Sequence, residues 1–184
     1  EVTSSRKAGD GLFEVGLASQ RNVSARRIIL ATGVRDVLPG IPGIQERWGV
    51  SALHCPYCHG YEFAGEALGV LACSPHSVHQ ALLVSEWGPV VLFTQGVLEP
   101  TEDELAQLSE RGVAVERTAV TELAGPAPAL EAVRLADGRV IPLRAIYLAP
   151  RTEFASDLAA QIGCEVLSGP TGPLLRVDEW RQTS

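Results

Sequence analysis

The sequence predicts an α/β fold in which a doubly wound, three-layer domain with a parallel sheet carries an antiparallel β appendage. Three observations favour this class. Short apolar runs of strand length alternate with segments of helical periodicity, a capping-box sequence marks one of the helices, and Asp137-Gly138 is a two-residue hairpin signal between two apolar stretches. An alternating order of strands and helices is typical of parallel sheets that are covered by helices.

The first apolar segments lie near the amino end of the chain. Weak alternation predicts a strand at 13–17, and the β-branched run at 25–31 predicts a second strand that ends at Thr32-Gly33. Two prolines and two glycines then fall within residues 39–43, which is too dense for a helix or a central strand. We expect a first domain boundary in this stretch.

The middle of the chain contains the strands and helices of the predicted parallel sheet. Apolar runs at 67–72 and 90–93 predict two strands, and the helical spacing of apolar residues at 77–87 predicts the helix between them. Residues 101–104, Thr-Glu-Asp-Glu, have the form of a capping box, and Gly112 is placed to end the helix that this box begins.

Two further patterns follow towards the carboxyl end. Apolar runs at 130–135 and 140–148 flank the Asp-Gly pair and predict an antiparallel hairpin. Pro150 interrupts the pattern, and residues 154–162 then have the apolar spacing of a helix that Gly163 ends. We therefore expect a second domain boundary near residue 151.

Composition limits the classes of function. With 46% hydrophobic residues among 184, the chain has enough apolar material for a core. A net charge of -7 without a cluster of Lys or Arg argues against binding to nucleic acid or to an anionic membrane. No apolar run approaches the roughly 20 residues that span a bilayer, and we interpret the protein as cytoplasmic. Methionine is absent, including at position 1, so we expect a trimmed or proteolysed fragment of a longer protein.

The strongest functional signal is the segment 54–59, His-Cys-Pro-Tyr-Cys-His, which contains two thiols and two imidazoles. We expect a helix to start at the cysteine pair. The C-x-x-C spacing of Cys55 and Cys58 lets the two sulfurs meet, and a helix start or a nearby imidazolium lowers the pKa of a thiol. Four cysteines in a chain of this length are too few for a disulfide scaffold. The pattern therefore favours dithiol–disulfide exchange at this pair.

Three alternatives remain open on the motif alone. Cys55-x-x-Cys58-His59 matches the pattern for covalent haem attachment, although the chain has no methionine for the usual second axial ligand. A zinc site normally has four ligands, and Cys73 and Cys164 do not form a second pair. The two thiols of the motif are also compatible with simple packing in a core.

The order of several segments resembles the low-molecular-weight thioredoxin reductase family of flavoproteins. These segments are Ile-Ile-Leu-Ala-Thr-Gly at 28–33, Leu-Pro-Gly-Ile-Pro-Gly at 38–43 and the stretch 49–60 with the cysteine pair. The resemblance continues at 135–141, which is similar to the family's closing hairpin, and at 177–184, which is similar to the run before its flavin-contacting Gly-Asp. It spans almost the whole chain.

This resemblance implies a Rossmann-like pyridine-nucleotide domain at 46–151, which carries the cysteine pair. It lies between two parts of a discontinuous FAD-binding domain, 1–45 and 152–184. The implied cofactor of the longer parent is FAD, with Thr32 and Gly33 as contacts. The family's flavin-binding G-x-G-x-x-G and its Gly-Asp are missing from this sequence, so we expect the fragment alone not to bind FAD and to be inactive.

Two departures from the family pattern concern the nicotinamide cofactor. The turn at 72–77, which includes Ser74 and Ser77, lacks the glycines that let backbone amides approach a pyrophosphate. The strand end at 93–96 offers neither an acid for a ribose nor an arginine for a 2′-phosphate. We interpret 72–77 as a degenerate nucleotide turn and expect poor binding of NADPH.

A third departure is His59, which stands where many thioredoxin reductases have an aspartate. Cys-x-x-Cys-His-Gly-Tyr-Glu resembles the dithiol oxidases of the superfamily, which pass electrons to oxygen. The resemblance implies that Cys55 is the interchange thiol, that Cys58 faces the flavin and that His59 takes protons. It also implies a small-molecule dithiol or a thioredoxin-like protein as partner, and a homodimeric parent. The alternative is a redox-sensing or assembly domain without catalytic activity.

Overall fold

The computed structural model describes residues 1–183 and divides them into two compact units. The second unit is Leu38–Pro150, and the first combines Glu1–Val37 with the chain from Arg151 onward. Ser184, the last residue of the predicted return segment 152–184, lies outside the described residues.

Most regular elements are short. In chain order the strands are β1 Val2–Lys7, β2 Phe13–Leu17, β3 Asn22–Ala25, β4 Val34–Val37, β5 Ala52–Leu53, β6 Leu68–Leu71, β7 Val90–Phe93, β8 Ala114–Glu116, β9 Val120–Ala124, β10 Ala132–Leu135, β11 Val140–Pro142, β12 Ala145–Tyr147, β13 Arg151–Phe154, β14 Val166–Ser168 and β15 Pro173–Leu175. The α-helices are α1 Pro56–His59, α2 Ser77–Val84, α3 Glu102–Glu110 and α4 Leu158–Gln161, and single 3₁₀ turns occupy Gly9–Gly11, Gln45–Arg47 and Tyr61–Phe63.

The second unit is a three-layer α/β domain. Its central sheet has the order β5-β12-β6-β7-β8, and every neighbouring pair in it is parallel. One face of the sheet packs on α2 and α3, through residues such as Val78, Val84 and Leu108. The other face packs on the antiparallel sheet β9–β11, where Leu123 and Val133 are buried. The predicted fold class, a parallel sheet with an antiparallel appendage, is confirmed.

The first unit consists of antiparallel pairs. Strands β1, β2 and β3 form one sheet, β4 pairs with β13, and β14 pairs with β15. Helix α4 lies against β1, where the backbone amide of Ser5 donates to the Gln161 side chain at 2.7 Å.

Local signals predicted several elements well. Strands β2 and β7 occupy the predicted ranges, and α2 begins at the predicted residue, Ser77. The capping box before α3 forms as expected, since the Thr101 hydroxyl accepts from the Glu104 amide and the Glu104 carboxylate accepts from the Thr101 amide. The predicted Asp-Gly hairpin joins β10 to β11, with Gly138 at a φ of 87°.

The predicted strand at 25–31 is wrong. Strand β3 ends at Ala25, and 26–33 belong to no strand. Ile28 and Leu30 pack beside Ile162, whereas Ile29 is 93% exposed. The segment has the alternation of a strand, but within residues 1–183 no other strand pairs with it.

Two other predicted elements are divided in the structure. The run 140–148 forms β11 and β12, because Pro142 lacks the amide that would continue the antiparallel ladder and the chain then crosses to the parallel sheet. The predicted helix at 154–162 begins only at Leu158, because Phe154 pairs with Val34 in the β4–β13 ladder. Its predicted end is confirmed, with Gly163 at a φ of 75°.

The first boundary between the units lies at Val37–Leu38, eight residues before the predicted one. Residues 38–45 pack in the second unit because Ile44 is fully buried there and the Leu123 amide donates to the Pro42 carbonyl at 2.9 Å. The second boundary lies at Pro150–Arg151. That the first unit is part of a flavin domain stays a prediction.

None of the helices formed by residues 1–183 combines the length and the apolar composition that crossing a bilayer requires.

We predict that Thr101→Ala lowers the free energy of unfolding by about 1 kcal/mol, because it removes the cap of α3. Denaturant unfolding followed by circular dichroism measures the change. Ser109→Ala, at an exposed position of the same helix, is the matched control and should shift the stability by less than about 0.5 kcal/mol. Equal effects of the two substitutions would contradict a stabilising role for the box.

Candidate functional site

The cysteine motif lies at the carboxyl edge of the parallel sheet. Strand β5 ends at Leu53, and the motif follows it directly. Strand β6 ends at Leu71 and continues into the 72–77 turn, so the turn lies at the same edge. Ligands of open α/β sheets bind at this edge, beyond the carboxyl ends of the strands. The topology therefore places the two regions that the sequence analysis singled out on one side of the domain.

Local backbone geometry fixes the motif as a short helix. Cys55 is the N-cap of α1, with extended φ and ψ of -115° and 115°, and Pro56 is the first helical residue. Proline suits this position because its φ is preset and its missing amide has no partner in a first turn. The amides of Cys58 and His59 donate to the Cys55 carbonyl at 3.2 and 3.3 Å. The predicted helix start at the cysteine pair is confirmed.

The two thiols of the motif are in contact. The Cys58 thiol donates to the Cys55 sulfur at 3.0 Å, and all four cysteines are free. This hydrogen bond lowers the pKa of Cys55 and raises that of Cys58, because it stabilises the thiolate of the first and the protonated form of the second. Cys55 is half-buried and Cys58 is exposed. In the dithiol form, Cys55 is therefore the better nucleophile of the pair.

Polar side chains next to the thiols are exposed. The His59 Nδ1 lies 3.4 Å from the Glu62 carboxylate, and both side chains are about half exposed. His54, on the other side of the pair, is also exposed. The predicted catalytic residues Cys55, Cys58 and His59 thus lie together on α1 and its cap, and their catalytic roles stay predictions.

Three neighbouring groups hold the motif from beneath. The Tyr147 hydroxyl donates to the His59 carbonyl at 3.1 Å, and the Gln80 amide nitrogen donates to the His54 carbonyl at 2.9 Å. Gly60 packs against the Trp87 ring and the Pro56 carbonyl so closely that a Cβ atom would collide with both. Burial raises the pKa of Tyr147 to about 12, so its hydroxyl stays protonated at neutral pH.

Sequence reasoning did not single out Gln80, Tyr147 or Trp87 as parts of the site. One signal was present, since Gln80 is a polar residue among the apolar positions of α2 and is buried with Val84. Tyr147 carries no such signal, because it lies in an apolar run and its contact with His59 spans 88 residues of sequence.

Two backbone amides of the 72–77 turn donate to a side chain of the same turn. The buried Ser77 hydroxyl accepts from the amide of Cys73 at 3.1 Å and from that of Ser74 at 3.4 Å. Ser74 and Ser77 therefore contact each other within the turn, and their contact with a nucleotide stays a prediction. These amides follow β6, where a nucleotide-binding turn would aim its amides at a pyrophosphate. The chain also turns tightly after the next strand, β7, where the Val97 amide donates to the Thr94 carbonyl at 2.9 Å.

Thr32 and Gly33 lie in the first unit. Gly33 is exposed with a φ of 70°, and its carbonyl accepts from the Ala155 amide at 3.2 Å. A dinucleotide pyrophosphate normally rests on the amino end of a helix that follows a parallel strand. Within the described residues of this unit the strand pairs are all antiparallel, and α4, of four residues, is its one α-helix. The residues present therefore do not by themselves form a site for FAD.

Metal ligands do not cluster in the described chain. Over residues 1–183 no group of three or more His, Cys, Asp and Glu side chains is arranged to hold a metal ion.

Comparison with known proteins finds relatives over the length of the chain. No protein-family model matches it. It is 31% identical to thioredoxin reductase sirT of Leptosphaeria maculans over 181 residues, which cover 90% of this chain and 55% of that protein. The chain therefore spans about half the length of this curated relative.

Solved structures of oxidoreductases are also similar to this chain. The fold is similar to that of an oxidoreductase from Agrobacterium tumefaciens, with a TM-score of 0.91 and 43% identity over 100% of this chain and 60% of that one. It is also similar to thioredoxin reductase from Streptococcus pyogenes MGAS5005, with a TM-score of 0.80 and 17% identity over 100% and 61% of the two chains, a likeness of fold alone.

We predict that Cys58→Ala raises the pKa of Cys55, because it removes the thiol that donates to the Cys55 sulfur. The rate of Cys55 alkylation by iodoacetamide, followed by peptide mass mapping across a pH series, should therefore titrate at higher pH. Cys164→Ala, a buried site in the other unit, is the control and should leave the profile unchanged. An unchanged profile in Cys58→Ala would contradict the assigned hydrogen bond.

Proposed function

We propose, from its relationship to the thioredoxin reductase-like oxidoreductases, that this chain is the part of a disulfide oxidoreductase that exchanges thiols and disulfides at Cys55 and Cys58. One observation carries the proposal. The two thiols touch at 3.0 Å on the carboxyl edge of a parallel sheet, in a half-buried and an exposed position that a substrate sulfur can approach.

The chemistry of this pair is a two-step exchange. A substrate thiolate attacks the Cys55 sulfur of the Cys55–Cys58 disulfide, a mixed disulfide forms, and Cys58 leaves as a thiolate. The second substrate thiolate attacks the substrate sulfur of that mixed disulfide, and Cys55 leaves. The substrate thus becomes a disulfide, while the pair gains two electrons and takes up two protons. The reverse sequence reduces a disulfide.

His59 is the group that we propose for these protons. An imidazole can accept and donate protons in catalysis, and His59 is the last residue of α1, directly after Cys58. Its exposure leaves it open to solvent, to which the protons must finally pass.

The longer protein would supply the electron carrier. We propose FAD from the family relationship, and a bound flavin would exchange two electrons with the cysteine pair. Because the described part of the first unit does not form a dinucleotide site by itself, the flavin contacts of Thr32 and Gly33 depend on residues beyond this chain.

We further propose that the longer protein oxidises dithiols with oxygen as acceptor and is not an NADPH-dependent reductase. The support comes from the 72–77 turn, whose amides at Cys73 and Ser74 already donate to the Ser77 hydroxyl. A pyrophosphate would have to displace this internal acceptor. In this proposal the substrate is a small-molecule dithiol or a thioredoxin-like protein. The longer protein that oxidises it is a homodimer.

A redox-sensing or assembly domain is the second candidate. The internal hydrogen bonds of the 72–77 turn favour this candidate too. A domain that has lost nucleotide binding can be kept for its fold alone. The two candidates differ in turnover, since a sensor changes its own oxidation state without converting an excess of dithiol.

We predict that Cys55 and Cys58 form a reversible disulfide. Thiol counting before and after dithiothreitol should differ by two in the oxidised chain. Either Cys55→Ser or Cys58→Ser should abolish the difference, whereas Cys73→Ser should retain it, because burial raises the pKa of Cys73 to about 11 and keeps that thiol unreactive. Two free thiols at the motif under oxidising conditions would count against the proposed function.

We predict that the longer protein, with its flavin, is bleached by a dithiol faster than by NADPH. The reason is the occupied amides of the 72–77 turn, which weaken pyrophosphate binding. Anaerobic stopped-flow mixing with each reductant measures both rates. Bleaching by NADPH at rates that match turnover would rule out the oxidase and restore the reductase.

A further inference from the structure

The carbonyls on either side of the cysteine pair are both held by side chains from elsewhere in the fold. The Gln80 amide nitrogen, from α2, donates to the His54 carbonyl just before the pair at 2.9 Å. The Tyr147 hydroxyl, from β12, donates to the His59 carbonyl just after it at 3.1 Å. We infer that Gln80 and Tyr147 are positioning residues that clamp the motif and hold the two sulfurs ready to form a disulfide.

The clamp is built into rigid parts of the domain. Tyr147 is fully buried in β12, which lies between β5 and β6 in the parallel sheet. Gln80 is 9% exposed on the face of α2 that packs on the sheet. Gly60 adds a third restraint, because the Trp87 ring closes the space beside it and α1 has no room to shift in that direction.

Gln80 is an unexpected residue for its surroundings. Its carbonyl oxygen, Oε1, is buried and has no hydrogen-bond partner within the described chain. A buried amide oxygen without a partner is unfavourable, and a leucine of similar volume would avoid it. The clamp on the His54 carbonyl is the one interaction in the described chain that the amide makes and a leucine cannot.

The clamp acts on the equilibrium between dithiol and disulfide. Formation of the disulfide requires the two Cβ atoms to approach within a narrow range of geometry. A motif that is held at both ends loses less conformational freedom in this step than a loose one, so the clamp raises the effective concentration of one thiol toward the other. Loss of one hydrogen bond should therefore favour the dithiol.

This inference rests on the proposed function, and one experiment separates the two. The oxidised fraction of the pair is measured in glutathione buffers of graded composition, by alkylation and mass spectrometry, in the full chain. Tyr147→Phe and Gln80→Leu should each lower the equilibrium constant for disulfide formation about three- to tenfold. A tenfold change corresponds to a potential about 30 mV less negative.

Matched controls remove a similar group without touching the clamp. Tyr61→Phe deletes a hydroxyl from a side chain that is 84% exposed beside the same motif, and Gln107→Leu replaces an exposed glutamine on α3. Both should leave the equilibrium unchanged. Unfolding is measured in parallel, because Gln80→Leu should keep the stability of the chain while shifting the equilibrium, which a merely structural role would not do.

Each outcome has one meaning. If the wild-type pair forms no disulfide in any buffer, the proposed function fails. If the wild-type pair forms one and the equilibrium is unchanged in both clamp variants, or moves toward the disulfide, the clamp is overturned. If one clamp variant unfolds, the other still decides the question.

Discussion

The insertion of β12 between β5 and β6 is the constraint on which the rest of the second unit depends. It is made by parallel backbone hydrogen bonds, in which the Ile146 amide donates to the Ser51 carbonyl and the Arg144 amide donates to the Ala67 carbonyl, each at 2.8 Å. In chain order, β12 follows all three strands of the antiparallel layer, β9 to β11. Its side chains then alternate, with Ile146 in the core below that layer and Tyr147 in the core below the helices.

The same insertion determines the site. Because β12 follows the motif by almost 90 residues and lies beside β5, its last residue stands directly beneath α1 and reaches the His59 carbonyl. The parallel direction of the strands also brings the motif and the 72–77 turn to one edge. The cysteine motif and the 72–77 turn thus share one edge of the sheet as a consequence of strand order, without any direct signal between them in the sequence.

How far the sequence predicted the structure depended on the range of the interaction. The capping box at Thr101, the hairpin at Gly138 and the helix start at Cys55 are decided by residues within a few positions, and all three were predicted. The run 140–148 was not predicted correctly, because its division depends on which sheet each half joins. The same holds for Phe154, whose strand is set by a partner 120 residues away, and for the clamp residues of the site.

The asymmetry of the two thiols follows from the arrangement of donors around them. The Cys58 proton is directed at the Cys55 sulfur, so the thiol that is half-buried carries the thiolate character and the exposed one keeps the proton. The Tyr147 hydroxyl does not accept a proton from the pair, because burial raises its pKa and keeps it protonated. Its own proton is donated to the His59 carbonyl. In the proposed function, protons that leave the pair pass to the exposed side of the motif, where the His59 ring lies 3.4 Å from the Glu62 carboxylate and both side chains are about half exposed.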